Sequence, residues 1–309
     1  MVLAAGRGQR MRPLSNVVPK PALPLPGGPV VASAIELAAS VGVRRVVVNI
    51  FHLHERMASA LSELERTDIE IAVSTEDRLM GTSGGLALAR HRGLLGNGAS
   101  VLVINADGLF DLDLEPLIHR HTVANDRLSL AVLPHPDPVR WSRIVVDDGG
   151  SVTGILPPGE TSSGGRWFLY PGVMLVAEDA IEALEVAPHN TPETLWWPAL
   201  ETRRLGAAAV TGSWHEVGTP EDYIEAVQRT LAGANSIHAT AIVSPHALVT
   251  RSLIGRRAAI DAGATVTASV VGEGARIGRG AMVNHSVILG DHHIEGGSTL
   301  VGRYIATPT

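Results

Sequence analysis

Hydrophobic residues follow two different rhythms along the chain. Up to about residue 232, short apolar runs alternate with stretches whose apolar positions recur every three to four residues. Val2–Ala5 is a short apolar run that stops at a glycine. Arg45–Ile50 (RVVVNI) reads as a buried strand, Ile69–Ser74 as another, and Ser100–Asn105 (SVLVIN) as the clearest of them. Helical spacing covers Ala32–Ser40, Leu53–Arg66 and Glu115–Ala124. Strands alternating with helices predict an α/β fold with a mainly parallel sheet covered on both faces. In such folds ligands sit beyond the carboxyl ends of the strands, so the loops after Ala5 and after Asn105 are the expected site.

From residue 236 the rhythm becomes a 17-residue step. Aliphatic residues stand at 237, 254, 271 and 288, at 243, 260, 277 and 294, and at 249, 266, 283 and 300. All twelve positions conform, and Ser252, Ser269 and Ser286 keep the same step. Within a rung the steps are six, six and five residues. Three short strands per turn predict a triangular prism of stacked rungs, each strand sending one aliphatic side chain inward. The chain of 309 residues therefore divides into two domains, 1–232 and 236–309.

Composition narrows the possibilities. Hydrophobic residues make up 45% of the chain, enough for a full core, yet no stretch of eighteen apolar residues offers a membrane span. Met1–Arg7 lacks the basic leader of a signal peptide, so a cytoplasmic address is expected. Without cysteine there is no thiolate chemistry. A net charge of −6 and no long Lys/Arg run argue against nucleic acid as a partner. Lys20 is the only lysine among 25 Lys and Arg residues.

The start of the chain carries the most chemistry. Residues 3–25 read LAAGRGQRMRPLSNVVPKPALPL. After the first strand, Gly6 and Gly8 let the backbone approach a ligand without Cβ obstruction. Successive N–H groups in such a turn form an anion-binding nest. Arg7, Arg10 and Arg12 add three guanidinium groups, and Lys20 adds a point charge between two prolines that stiffen its loop. A triphosphate is the ligand this chemistry fits. The third glycine of a dinucleotide fingerprint is missing, because position 11 is Met.

This segment resembles the signature GxGTRxxPLT…PKP of sugar-1-phosphate nucleotidylyltransferases. Leu79–Leu86 (LMGTSGGL), Asn105–Asp107 (NAD) and Trp214–Tyr223 (WHEVGTPEDY) resemble that family's LGTAGAL, NGD and WxDVGTPEDY motifs, in the same order. The 17-residue repeat resembles the hexapeptide β-helix tail of many members. The resemblance implies a Rossmann-like nucleotidyltransferase domain with a mostly parallel sheet, followed by a short left-handed parallel β-helix. It implies transfer of a nucleotidyl group from a nucleoside triphosphate to a sugar 1-phosphate, with Mg²⁺ as cofactor. A loop of the G-T-A-G type makes GTP the first expectation, with a mannose- or heptose-type acceptor. The alternatives are a uridylyl-, thymidylyl- or cytidylyltransferase, and a regulatory homologue that binds nucleotide sugar without turnover.

Carried over residue by residue, the resemblance makes Arg10, Lys20 and Asp107 catalytic. Leu3, Ala5, Gly6, Gly8 and Arg10, with Gly81, Thr82 and Gly84, would hold the nucleotide. The small residues Gly81–Gly85 would leave room for a purine. Asn105, Gly172 and Glu193 would hold the sugar phosphate, and Asp107 and Glu216 the metal, Glu216 standing where the family usually has Asp. Asp111 and Asp113 read as caps for the helix near Glu115, and Trp196 and Trp197 as packing residues.

The sequence departs from the pattern at Gln9, Ala106 and Ser142-Arg143. It departs again at Pro157-Pro158-Gly159-Glu160, where the family's E-K-P lysine is missing. Another cation, Arg143 or Arg166, must then hold the acceptor phosphate. His285, His292 and His293 would be the candidates for the catalytic histidine of an acyltransferase role of the repeat. A packing and oligomerisation module, giving a homo-oligomer, is the simpler reading of so few rungs.

Overall fold

The computed structural model describes residues 1–64, 68–96, 98–134, 137, 139–160 and 166–307. The chain forms two compact units. The first comprises Met1–Gly6, Ser33–Phe51 and Glu65–Trp214, and the second Arg7–Ala32, His52–Leu64 and His215–Thr309. This division is not a single cut between residues 232 and 236, because two N-terminal segments join the repeat-bearing unit. Packing explains it. The Tyr223 hydroxyl donates to the Pro24 carbonyl at 2.6 Å, and Arg256 pairs with Glu63 at 3.3 Å.

The first unit is built on one large sheet. Its strands run in the order Val152–Leu156, Arg143–Val146, Arg166–Leu169, Leu128–Pro134, Val173–Val176, Val101–Asn105, Val2–Leu3, Arg45–Ile50 and Glu70–Thr75. Val2–Leu3 lies parallel between Arg45–Ile50 and Val101–Asn105, and Arg45–Ile50 is parallel to Glu70–Thr75. These are the strands the sequence marks as apolar runs, and Val46, Val47, Val48 and Ile50 are all buried, as central parallel strands require. Leu205–Ala209 adds a further parallel pair with Leu128–Pro134.

Beyond Val101–Asn105 the sheet continues in antiparallel pairs that the sequence pattern does not resolve. A short connection such as 147–151, between the paired strands Arg143–Val146 and Val152–Leu156, is enough here, since antiparallel neighbours need no helical crossover. Helix Gly81–His91 covers this sheet, with Leu86 and Ala89 in the same buried cluster as Val103, Leu130 and Met174. Helices Val31–Ser40 and Glu115–Val123 fall where the periodicity puts them, Glu115 N–H being held by the Asp113 carboxylate at 3.0 Å. Asp111 instead lies within the strand Gly108–Asp113. Helix His54–Ser62 is shorter than the expected Leu53–Arg66, whose last residues lie outside the described ones.

In the second unit the 17-residue step becomes strand register. Ile237 pairs with Ile254, Ile254 with Val271, Val271 with Ile288, and Ile288 with Ile305. The columns beginning at Val243 and Val249 pair in the same way. Three parallel sheets result, one of five strands and two of four. The interior columns, among them Ile254, Ile260, Val266, Val271, Ile277 and Val283, are at most 1% exposed.

The serine column is a ladder. Ser252 Oγ accepts from Ser269 N–H, and Ser269 Oγ from Ser286 N–H, at 3.2 and 3.1 Å, while each hydroxyl donates to the carbonyl two residues before it. The preceding corner residues Arg251, Ala268 and His285 have positive φ, with Gly302 at the equivalent place on the last rung. The buried hydroxyl supplies the acceptor that such a turn leaves wanting.

Candidate active site

In the first unit, three backbone turns meet at the carboxyl ends of the parallel strands. Leu3 is in register with both Asn49 and Asn105, and its carbonyl accepts from Ala106 N–H at 3.1 Å. Leu3 therefore lies beside Asn105-Ala106, and the turns that follow each strand leave from the same edge of the sheet. A Cβ on Gly6 would meet nothing within 4 Å, so its backbone is approachable.

A buried polar relay fixes these turns, and the motifs gave no warning of it. The Ala4 N–H donates to Asn49 Oδ1 at 2.8 Å, Asn49 Nδ2 donates to Glu76 Oε1 at 2.8 Å, and Glu76 Oε2 accepts from Met80 N–H at 2.9 Å. Two side chains thus tie the turn after the first strand to the start of the Gly81 helix. Burial pushes the Glu76 carboxyl above its ordinary value, against the opposing effects of Met80 N–H, Asn49 and Arg92. The available signal was an asparagine inside the otherwise apolar RVVVNI strand.

Gly81, Thr82 and Gly84 belong to the first turn of helix Gly81–His91, and the fold itself requires two of them to be glycine. A Cβ on Gly81 would sit 2.4 Å from the His189 carbonyl oxygen, and one on Gly84 2.2 Å from that of Ala187. On Gly85 it would lie 2.9 Å from Asn49 Nδ2. The missing side chains make room for the protein's own backbone at 187–189 and for the relay. His189 N–H bonds the Met80 carbonyl at 2.9 Å, and Ser83 Oγ donates to Asn190 O at 3.2 Å, so this strap is sewn to the helix start.

Asn105 and Gly172 are brought together. Asn105 N–H donates to Gly172 O at 2.8 Å, and at φ +86 a Cβ on Gly172 would lie 2.6 Å from Asn105 Nδ2. Glu193 is exposed on the short helix Pro192–Trp196, and among the described residues no hydrogen bond joins it to Asn105 or Gly172. Trp196 packs edge-on against Tyr170 at 5.2 Å, in keeping with a packing role, whereas Trp197 is exposed.

The second unit holds the cationic residues. Gly8 adopts φ +59, which favours glycine, and its carbonyl accepts from Met11 N–H and Ser15 Oγ. A Cβ there would touch the Cβ atoms of Ser15 and Lys20 at 3.2 and 3.3 Å, so Lys20 is seated directly against the glycine turn. Arg10 Nη2 donates to Glu216 Oε1 at 2.7 Å. Gly218 makes this convergence possible: a Cβ would lie 2.9 Å from Glu216 Oε1, 3.1 Å from Arg10 Nη1 and 3.1 Å from Asp222 Oδ2. Asp222 and Thr219 form a reciprocal cap on helix Pro220–Leu231, and Asp222 also takes the Gly218 N–H at 3.2 Å. Glu216, read as a metal ligand, is thus the ion-pair partner of Arg10, read as a phosphate ligand.

Among the described residues there is no cluster of three or more His, Asp or Glu side chains able to hold a metal unaided, and no helix long and apolar enough to cross a membrane. Of the repeat histidines, His285 occupies a positive-φ corner and His292 Nδ1 lies 2.9 Å from Thr307 Oγ1.

Comparison with known proteins agrees with this architecture. Residues 1–233 match the nucleotidyl transferase family, and residues 223–303 match the GlmU-like C-terminal hexapeptide family. The chain is 26% identical over 265 residues to mannose-1-phosphate guanylyltransferase 1 of Arabidopsis thaliana, covering 85% of this chain and 73% of that protein. It is 22% identical over 264 residues to the mannose-1-phosphate guanylyltransferase catalytic subunit beta of Drosophila melanogaster, covering 85% and 71%. The crystal structure of HddC from Yersinia pseudotuberculosis superposes with a TM-score of 0.63 at 21% identity, covering 74% of this chain and 97% of that one. A second HddC structure, complexed with GMP-PN, gives 0.61 at 20% identity.

Proposed function

We infer, for a chain that belongs to the nucleotidyl transferase family, that it joins a nucleoside triphosphate to a sugar 1-phosphate, releasing pyrophosphate and forming a nucleotide sugar. The reading rests above all on the glycine turn with Lys20 packed against Gly8. GTP and mannose 1-phosphate are the first pair to test, because the guanylyltransferases above match 85% of the chain.

The acceptor phosphate is already an anion, so the reaction asks little of a general base. What the protein must supply is alignment and compensation of charge as the acceptor oxygen meets the α-phosphorus and pyrophosphate departs. Gly6 and Gly8 present backbone N–H groups to the triphosphate. Lys20 stabilises charge on the α-phosphoryl group, and Arg10 stabilises it on the departing pyrophosphate. Leu3, Ala5, Gly81, Thr82 and Gly84 contact the nucleotide through peptide groups. Asn105, Gly172 and Glu193 orient the sugar.

Asp107 and Glu216 offer hard carboxylate oxygens. Mg²⁺ takes one or two carboxylates and completes its shell with phosphate oxygens and water. When bound, it would offset the negative charge that the two substrates bring together. Arg10 would then pass from Glu216 to the phosphate.

Residues 1–232 carry this chemistry, residues 236–309 serve packing and assembly into a homo-oligomer, and a cytoplasmic address belongs to the same reading. The test is pyrophosphate release with GTP, UTP, dTTP, CTP and ATP against a panel of sugar 1-phosphates. Turnover with one pair supports the enzyme. Nucleotide-sugar binding without turnover of any pair supports the regulatory homologue instead.

A further inference from the structure

One buried cation of the first unit has no part in the scheme above. Arg143 opens the strand Arg143–Val146 and is only 2% exposed. Its Nε and Nη2 atoms are buried and have no hydrogen-bond partner among the described residues. Ile144 and Val146 point into the main core, so alternation sends Arg143 and Val145 to the opposite face. There the guanidinium lies 4.6 Å from the centroid of the Trp167 ring, and Trp167 is itself 38% exposed.

An aromatic face satisfies the cation's charge but offers no acceptor to its N–H groups. A guanidinium stays charged at any ordinary pH, so burying it with unmet donors is unfavourable. Such an arrangement persists where the group is held ready for a ligand. The two unmet donors lie along one edge of the guanidinium, the edge that engages two oxygens of one anion side-on.

Neighbouring residues say which anion. Arg143 is the cross-strand partner of Leu156, immediately before Pro157-Pro158-Gly159-Glu160, a stretch without any cation. Two residues before it, Trp141 packs edge-on against Trp214, with centroids 5.8 Å apart. The Trp214 indole nitrogen lies 2.7 Å from the Cβ position of Gly108, the residue after Asp107. Arg143 thus follows, by two residues along the chain, a ring pair that reaches the Asp107 turn. Arg166 is no rival: it is exposed, pairs with Val146, and leans towards Phe168 at 5.9 Å on the other face of the strand.

We propose that Arg143 binds the phosphate monoester of the acceptor, Nε and Nη2 each donating to a phosphate oxygen. The identity of the acceptor rests on the transferase reading, but the affinity for a phosphate monoester does not. Calorimetric titration of the wild type, Arg143→Met and Arg143→Lys with mannose 1-phosphate, inorganic phosphate and GTP tests it.

The expected result is mannose 1-phosphate binding weakened roughly 30-fold by Arg143→Met, by the loss of charge-assisted hydrogen bonds. GTP affinity should stay within about twofold, and Arg143→Lys should fall between. The Met variant should melt no lower than the wild type, because an unmatched buried charge has gone. Unchanged mannose 1-phosphate affinity would overturn the proposal. So would equal weakening of GTP and sugar phosphate, or a wild type that binds neither phosphate. If Arg143-dependent binding is found in a protein that releases no pyrophosphate with any pair, the transferase reading fails and this assignment stands.

Discussion

The repeat prism and the loops of the candidate site specify themselves in different ways. In the prism each rung repeats its neighbour, so a column such as Ile254, Val271, Ile288 and Ile305 states its requirement four times over. In the site loops each requirement is stated once. Lys20 rests on Gly8, Gly84 yields to the Ala187 carbonyl, and Glu76 alone spans Asn49 and Met80. A repeated interaction is legible as a period and tolerant of single losses. A single interaction is invisible to periodicity, and its loss falls directly on the turn it holds.

Substitutions can break or sharpen that contrast. The largest effect should come from Lys20→Ala, which lowers kcat by roughly 10²–10³-fold and leaves the melting temperature within a degree or so of the wild type. Steady-state kinetics beside thermal melting checks it. A comparable loss from any prism substitution would erase the distinction.

Next is Ile260→Ala, which empties a fully buried position in the middle of the prism. It should lower stability by about 2–5 kcal/mol, read by denaturant melting, with kcat unchanged. Ser269→Ala is smaller. It removes the acceptor of Ser286 N–H and the donor to the Thr267 carbonyl, and about 1–3 kcal/mol is expected for the buried N–H left unmet. If the prism is truly redundant, neighbouring rungs stay protected from hydrogen exchange and only the 269–286 step loosens.

The smallest effect is one of pH. The folded Glu76 carboxyl titrates above its ordinary value of 4.5, so the folded state holds its proton more tightly than the unfolded chain. Its contribution is complete below that value and is lost as pH rises through the raised one. Glu76→Gln should flatten this part of the stability–pH curve. An unaltered curve would show that the relay does not carry the dependence.

Legibility in the sequence follows the same divide. All twelve aliphatic positions, in three columns, and the serine step were readable because strand register in a prism is sequence period. The parallel strands were readable as apolar runs, and the Gly8–Lys20 turn as a constellation of glycine, arginine and proline-flanked lysine. The antiparallel extension was not, since its short strands carry no signal of their partners. The strap at 187–190 was hidden because backbone carbonyls fill space without regard to side-chain identity. The joining of Arg7–Ala32 to the repeat-bearing unit depends on single contacts such as Tyr223 with Pro24, which no pattern announces.

The account stands or falls on whether the glycine turn with Lys20 performs nucleotidyl transfer. Pyrophosphate release should be measured with Mg²⁺, GTP and mannose 1-phosphate, for the wild type and Lys20→Ala side by side. The account predicts pyrophosphate and nucleotide sugar in equal amounts from the wild type, and a loss of roughly 10²–10³-fold in the variant. Equal rates in the two proteins, or no pyrophosphate from a folded wild type with any triphosphate and sugar 1-phosphate offered, would contradict it.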